Sequence, residues 1–229
     1  MGVSKKQSMM KVRPGQRYAV LTGDIVGSSK LSAAKRRSVP DALSRASRAA
    51  RSFFRETVPL DADVFRGDSW QLVVADAKLG LRVALFFRAH LRGNSPGLGL
   101  DTRIGIGIGA ISFLPKGGVS LGDGPAFRVS GQALEKLPKS RRLELSLATG
   151  ERPAGVAAVI CLMDTLIVRW TEKQALAVLG ALQGLPQSEI AELWGKPVTQ
   201  PVVARHLRQA GWEAIHMGLA YVENTFNEL

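Results

Sequence analysis

The chain has 229 residues, 45% hydrophobic and 6% aromatic, and a formal net charge of +12. That composition excludes a disordered chain and supports one domain of ordinary size with a smaller one beside it. The single cysteine, Cys161, excludes an internal disulfide framework and fits a reducing, cytoplasmic setting. No membrane span is expected: the most apolar stretch, 156–170, is too short and carries Asp164, so it reads as a buried helix with Cys161 inside it.

The charge is uneven. Residues 1–55 hold 13 Lys and Arg against 2 Asp, a surplus of 11, whereas residues 151–229 hold 6 basic side chains against 8 acidic ones. Residues 1–16 read as a disordered basic arm that ends near Pro14-Gly15. A polyanion would feel the N-terminal quarter first, although Arg45, Arg48, Arg51 and Arg55 equally fit the wet face of an amphipathic helix.

Residues 18–22, Tyr-Ala-Val-Leu-Thr, form an apolar, β-branched run that predicts a buried strand, and it ends in Gly23-Asp24. The strand would deliver the Asp24 carboxylate to a loop edge. The N–H groups of residues 25–29 then lie near a helix start, where anions are favoured. A plain Asx-turn or helix cap at Asp24 fits the same residues. The helix spans about 31–57, with Leu43, Ala46, Ala50 and Phe53 on one stripe and Pro40 expected to divide it. Residues 62–76 predict a hairpin turning at Arg66-Gly67-Asp68-Ser69, which puts Asp68, a second carboxylate, at a strand end.

A helix over 78–91 and a Gly- and Pro-containing loop lead to TRIGIGIGAISF at 102–113. The Ile–Gly alternation partly satisfies a dinucleotide-binding pattern but lacks its βαβ context. It predicts a strand whose glycines leave one face bare for another backbone, a helix or a flat ligand. A helix at 126–137 and a strand at 142–148 complete the order β-α-β-β-α-β-α-β. That is an α+β domain over 17–150, with helices beside an antiparallel-rich sheet as in ferredoxin-like and palm-type folds. From Gly150 a second, all-helical domain, 151–229, is expected. It has helices at 156–169 and 171–183, then a helix-turn-helix from Pro186–Trp194 and Thr199–Ala210 with Ile190, Ala191, Leu193, Val203 and Leu207 as its core. Thr199, Gln200, Arg205 and Arg208 would face base edges and phosphates of duplex DNA.

The segments TGDIVGSSKL, FRGDSW, TRIGIGIGAI and SLGDGPAFRVSGQAL, in that order, resemble the SatD family of small bacterial proteins. Over about 18–137 they are more distantly similar to class III nucleotide cyclases. That resemblance implies a palm-like fold in which Asp24 and Asp68 hold Mg²⁺ and Ile25, Val26, Gly27 and Ser28 cradle a triphosphate. The base-selecting lysine of the cyclases is Val64 here, and their helix-borne asparagine and arginine fall on Arg128 and Gln132, so neither type matches, although Arg128 itself could meet a phosphate. Turnover also needs fixed cations at the developing charge, so binding is the feature expected to survive. The C-terminal pair is similar to the helix-turn-helix of bacterial regulators through Glu189-Ile190-Ala191 and its turn spacing.

Three readings follow. The first is a nucleotide- and Mg²⁺-responsive DNA-binding regulator without competent cyclase activity, expected as a homodimer. The second is a divergent Mg²⁺-dependent nucleotidyl cyclase or nucleotidyltransferase, completed by groups from a partner subunit. The third is a non-catalytic interaction scaffold in which both aspartates only cap turns. His90, His206 and His216 lack metal spacing, and Ser28 and Ser29 have no histidine nearby in sequence, so neither zinc nor nucleophilic chemistry is expected.

Overall fold

The apolar run at 18–22 becomes β1 (Tyr18–Ile25), the middle of a five-stranded sheet. The computed structural model describes residues 10–116, 118–151 and 153–227. β1 pairs antiparallel on one side with β3 (Ser69–Val74), which pairs with β2 (Asp63–Phe65), and on the other with β4 (Thr102–Gly109). β5 (Leu143–Leu147) adds in parallel beyond β4, giving the order β2-β3-β1-β4-β5. Helices α1 (Ala33–Phe54) and α2 (Gly80–Gly93) connect β1 to β2 and β3 to β4. The first four strands therefore have the split βαβ connectivity expected from the element order.

Alternation sorts the two faces. Ala19, Leu21 and Ile25 of β1 and Ile104, Ile106 and Ile108 of β4 join the large core under α1 and α2. Tyr18, Val20 and Val73 join a smaller cluster on the opposite face. There α3 (Pro125–Lys136) lies flat on the glycines of β4. A Cβ on Gly105 would stand 2.5 Å from the backbone nitrogen of Leu134, and one on Gly107 2.5 Å from that of Ser130. The bare face foreseen from the Ile–Gly alternation is thus filled by the chain's own helix. Thr22 Oγ1 and Ser130 Oγ, 2.8 Å apart, close the contact.

The remaining helices are α4 (Ala154–Ile167), α5 (Glu172–Leu182), the short α6 (Gln187–Ile190), α7 (Gln200–Gln209) and α8 (Trp212–Asn227). Thr171 and Gln174 form a reciprocal capping box at the start of α5. The large core runs without interruption from β1 through α2 into α4, α5, α7 and α8, so packing is continuous across the composition change near residue 150. At that junction the buried Arg88 guanidinium holds Asp101 at 2.7 and 2.9 Å and Asp164 at 3.4 Å. Among the described residues, no helix is long and apolar enough to cross a membrane.

Several expectations are corrected. Pro40 does not divide α1; the bond it cannot make would go to the carbonyl of Arg36, an exposed residue. Phe53 is 41% exposed and stacks at 5.4 Å on buried Phe86 rather than entering the core. Leu193 is likewise exposed, while Ile190, Ala191, Val203 and Leu207 are buried as expected. Cys161 is exposed, because α4 buries only the stripe of Val156, Ile160, Met163, Asp164 and Ile167. Residues 10–16, read as part of a disordered arm, are tied down: the Arg13 N–H donates to the Tyr18 hydroxyl and Gln16 Nε2 to the Ala75 carbonyl. Residues 1–9 of that arm lie outside the described residues. α8 was not foreseen, although Ile215, Leu219 and Val222 recur at helical spacing and are buried.

Candidate functional site

The site grows from the end of β1. Gly23 lets the indole of Trp70 lie against the strand, since a Cβ there would stand 2.5 Å from Trp70 Cζ2. Trp70 Nε1 donates to Thr102 Oγ1 (3.0 Å), which donates to the Asp24 carbonyl (2.8 Å). The backbone of Asp24 is therefore fixed from beneath, and its side chain falls on the face that carries α3. Asp24 pairs across the sheet with Ser69 of β3 and Arg103 of β4. Asp68, one residue before Ser69, closes the β2–β3 turn in which Arg66 sits at φ 53°. The register thus brings the backbones of the two predicted aspartates together at one end of the sheet.

The loop after β1 folds onto the same edge. Ser28 Oγ donates to Asp68 Oδ2 at 2.5 Å, and Ser69 Oγ reaches Asp68 Oδ1 at 3.5 Å. The expected phosphate cradle is narrower than the sequence implied. The N–H of Ile25 donates to the Asp68 carbonyl at 3.1 Å and that of Val26 to the Asp101 carbonyl at 2.9 Å. Both amides are spent on holding the loop, which leaves Gly27 and Ser28 to meet an anion.

Arg103, which the sequence reading passed over, is the principal partner of Asp24. Its Nε donates to Asp24 Oδ1 at 2.9 Å and its Nη2 to Oδ2, a two-pronged ion pair. The hydrogen bond to Asp24 raises the Arg103 pKa above its ordinary value, against an opposing effect of burial. The signal available in sequence was an arginine on the glycine face of a strand that flanks β1.

Arg128 is not brought to this edge. It pairs with Asp123 at 3.0 Å in the first turn of α3, whose start lies beside Gly109, six residues and roughly 20 Å along β4 from Arg103. Val64, at the position of the cyclases' base-selecting lysine, packs against the large core and presents no polar group. Thr199, just before α7, and Gln200, Arg205 and Arg208 on it are all exposed, remote in sequence from the carboxylates, while Val203 and Leu207 of the same helix are buried.

Among the described residues there is no cluster of three or more His, Cys, Asp or Glu side chains. Two carboxylates at a strand edge, with a hydroxyl beside them, are too few for a structural zinc or calcium cage. Mg²⁺ asks less of a protein, taking one or two carboxylates and completing its octahedron with phosphate oxygens and water.

No protein-family model matches the chain, and no curated protein is similar to it in sequence. Solved structures similar to it include two that each match over 57% of this chain. One is the guanylyl cyclase Cya2, 16% identical, with 75% of its own chain covered and a TM-score of 0.41. The other is a bacterial light-regulated adenylyl cyclase, 17% identical, with 43% of its chain covered and a TM-score of 0.38.

Proposed function

We propose that this chain is a nucleotide-cyclase-like protein of the SatD type that binds a nucleoside triphosphate together with Mg²⁺ at Asp24, Asp68 and the Gly27–Ser28 loop. The observation that supports it is the convergence of the Asp24 and Asp68 backbones and that loop at one end of the sheet, with Ser28 tied to the Asp68 carboxylate. Asp24 and Asp68 would hold the ion, which when bound neutralises phosphate charge. The chain's own residues orient the phosphates through Gly27 and Ser28. A core-facing Val64 and an Arg128 engaged by Asp123 leave the positions of the cyclases' base-selecting and helix-borne polar groups unfilled at this site among the described residues, so the reading is binding rather than turnover. Thermal melting with Mg²⁺ and a panel of nucleoside triphosphates tests it: stabilisation in wild type, lost in Asp24→Ala and Asp68→Ala, is expected. Identical melts throughout refute it, and product analysis with ATP or GTP and Mn²⁺ separates binding from turnover.

A second reading attaches to α7, whose exposed Thr199, Gln200, Arg205 and Arg208 stand opposite its buried stripe, as on a DNA recognition helix. Arg205→Ala should weaken duplex binding and reduce its salt slope by about one. Absent or salt-insensitive binding in wild type removes this reading and leaves the nucleotide site untouched.

A further inference from the structure

Asp24 and Arg103 form a different kind of ion pair from the one at Arg88. The Arg88 side chain is 0% exposed and is locked between two carboxylates. The Arg103 and Asp24 side chains are 28% and 25% exposed, at the end of two interior strands, and the Arg103 guanidinium has no other hydrogen-bond partner among the described residues. Both Asp24 oxygens face the guanidinium, so a cation approaching this carboxylate meets a positive charge already seated there. Asp68, by contrast, is met among the described residues only by the neutral hydroxyls of Ser28 and Ser69. One of the two metal-binding carboxylates is therefore occupied by a cation built into the chain, and the other is not.

Resting on the nucleotide-binding reading above, we infer that Arg103 is an exchangeable cation: it neutralises Asp24 until a divalent ion arrives with phosphates, then leaves the carboxylate and hydrogen-bonds the phosphate oxygens. Electrostatics dictates the exchange. A divalent ion and a guanidinium on one carboxylate repel each other at a separation of a few ångströms, and the displaced guanidinium finds its next anion in the phosphates that the ion carries. The metal alone must break the Asp24–Arg103 pair without compensation and binds weakly. Metal and polyphosphate together give both the Asp24 carboxylate and the Arg103 guanidinium a new partner of opposite charge. Arg103 thus acts as a positioning residue that couples the two ligands, and the site discriminates against free divalent ions.

The signature is one substitution with opposite effects on two probes. In Arg103→Met, Mn²⁺ alone should bind about five- to tenfold more tightly than in wild type, the scale of a partly exposed two-pronged ion pair. The same variant should bind inorganic triphosphate in the presence of Mn²⁺ about tenfold or more weakly. Free Mn²⁺ measured by electron paramagnetic resonance reads the first, and thermal melting with Mn²⁺ and inorganic triphosphate reads the second. Arg103→Lys, which keeps one charge but not the fork, should fall between wild type and Arg103→Met on both, and it serves as the folded control. Equal Mn²⁺ affinity in wild type and Arg103→Met, or weakening on both probes, overturns the exchange while a wild-type response to Mn²⁺ and triphosphate keeps the nucleotide reading standing. No response to either probe in wild type or variants overturns both.

Discussion

Asp101 is the residue whose loss should be felt most. Its carboxylate accepts from Arg88 Nε and Nη2 at 2.7 and 2.9 Å and from Arg92 at 3.1 Å, and Arg142 Nε stands 3.7 Å away. Asp164 is the only other carboxylate within ion-pair reach of Arg88 among the described residues, at 3.4 Å. Burial already pulls the Arg92 guanidinium below its ordinary pKa, with Asp101 opposing that and Arg88 adding to it. Asp101→Asn preserves shape and removes the charge, so three guanidiniums, one of them wholly buried, lose their shared anion. Removing one partner of a buried pair costs about 3–5 kcal/mol, and for a chain of this size that lowers Tm by roughly 10 °C. Urea unfolding followed by far-ultraviolet circular dichroism and tryptophan fluorescence measures it, with coincident transitions as the check on two-state behaviour. Arg88→Met in the Asp101→Asn background should recover stability, since it withdraws a buried charge then held by Asp164 alone among the described carboxylates. A loss under about 1 kcal/mol for Asp101→Asn, or a further loss in the double variant, would refute the view that this cluster is a charge-balanced part of the core.

Gly107→Ala pushes a methyl to within 2.9 Å of Ser130 Cα and should cost about 1–3 kcal/mol; an unchanged urea midpoint would show that α3 can lift freely from β4. Burial first, and Arg45 second, hold the His90 imidazole at about 4 against an ordinary 6.5, and its Nδ1 is buried without a hydrogen-bond partner among the described residues. The unfolded chain then takes up a proton that the folded chain refuses, so stability falls as pH drops from 6.5 to 4, by at most about 3 kcal/mol. His90→Gln should flatten that decline in melts across the same range. Exposed Cys161 should react with a thiol reagent in the native protein at nearly the rate of the unfolded chain; protection would place it in an interface.

Periodicity alone determined the strands and most helices, because a period of two or of 3.6 is written into the order of apolar residues whatever they pack against. Ile104, Ile106 and Ile108 alternating with glycine declared both a strand and a face kept open. The two aspartates could be singled out because glycine and turn signals beside them placed each at a strand end. What only the tertiary structure decided were relations between distant segments. That Gly105 and Gly107 receive α3 rather than a ligand, that Arg103 sits opposite Asp24, and that Arg88 finds Asp101 and Asp164 all depend on strand register and helix docking. Local sequence carries no record of which charge will face which, since the free energy of an ion pair comes from a separation and a burial that exist only once the chain has folded. Cys161 and Leu193 make the same point for the core: an apolar residue on an amphipathic helix is buried only where another element arrives to cover it.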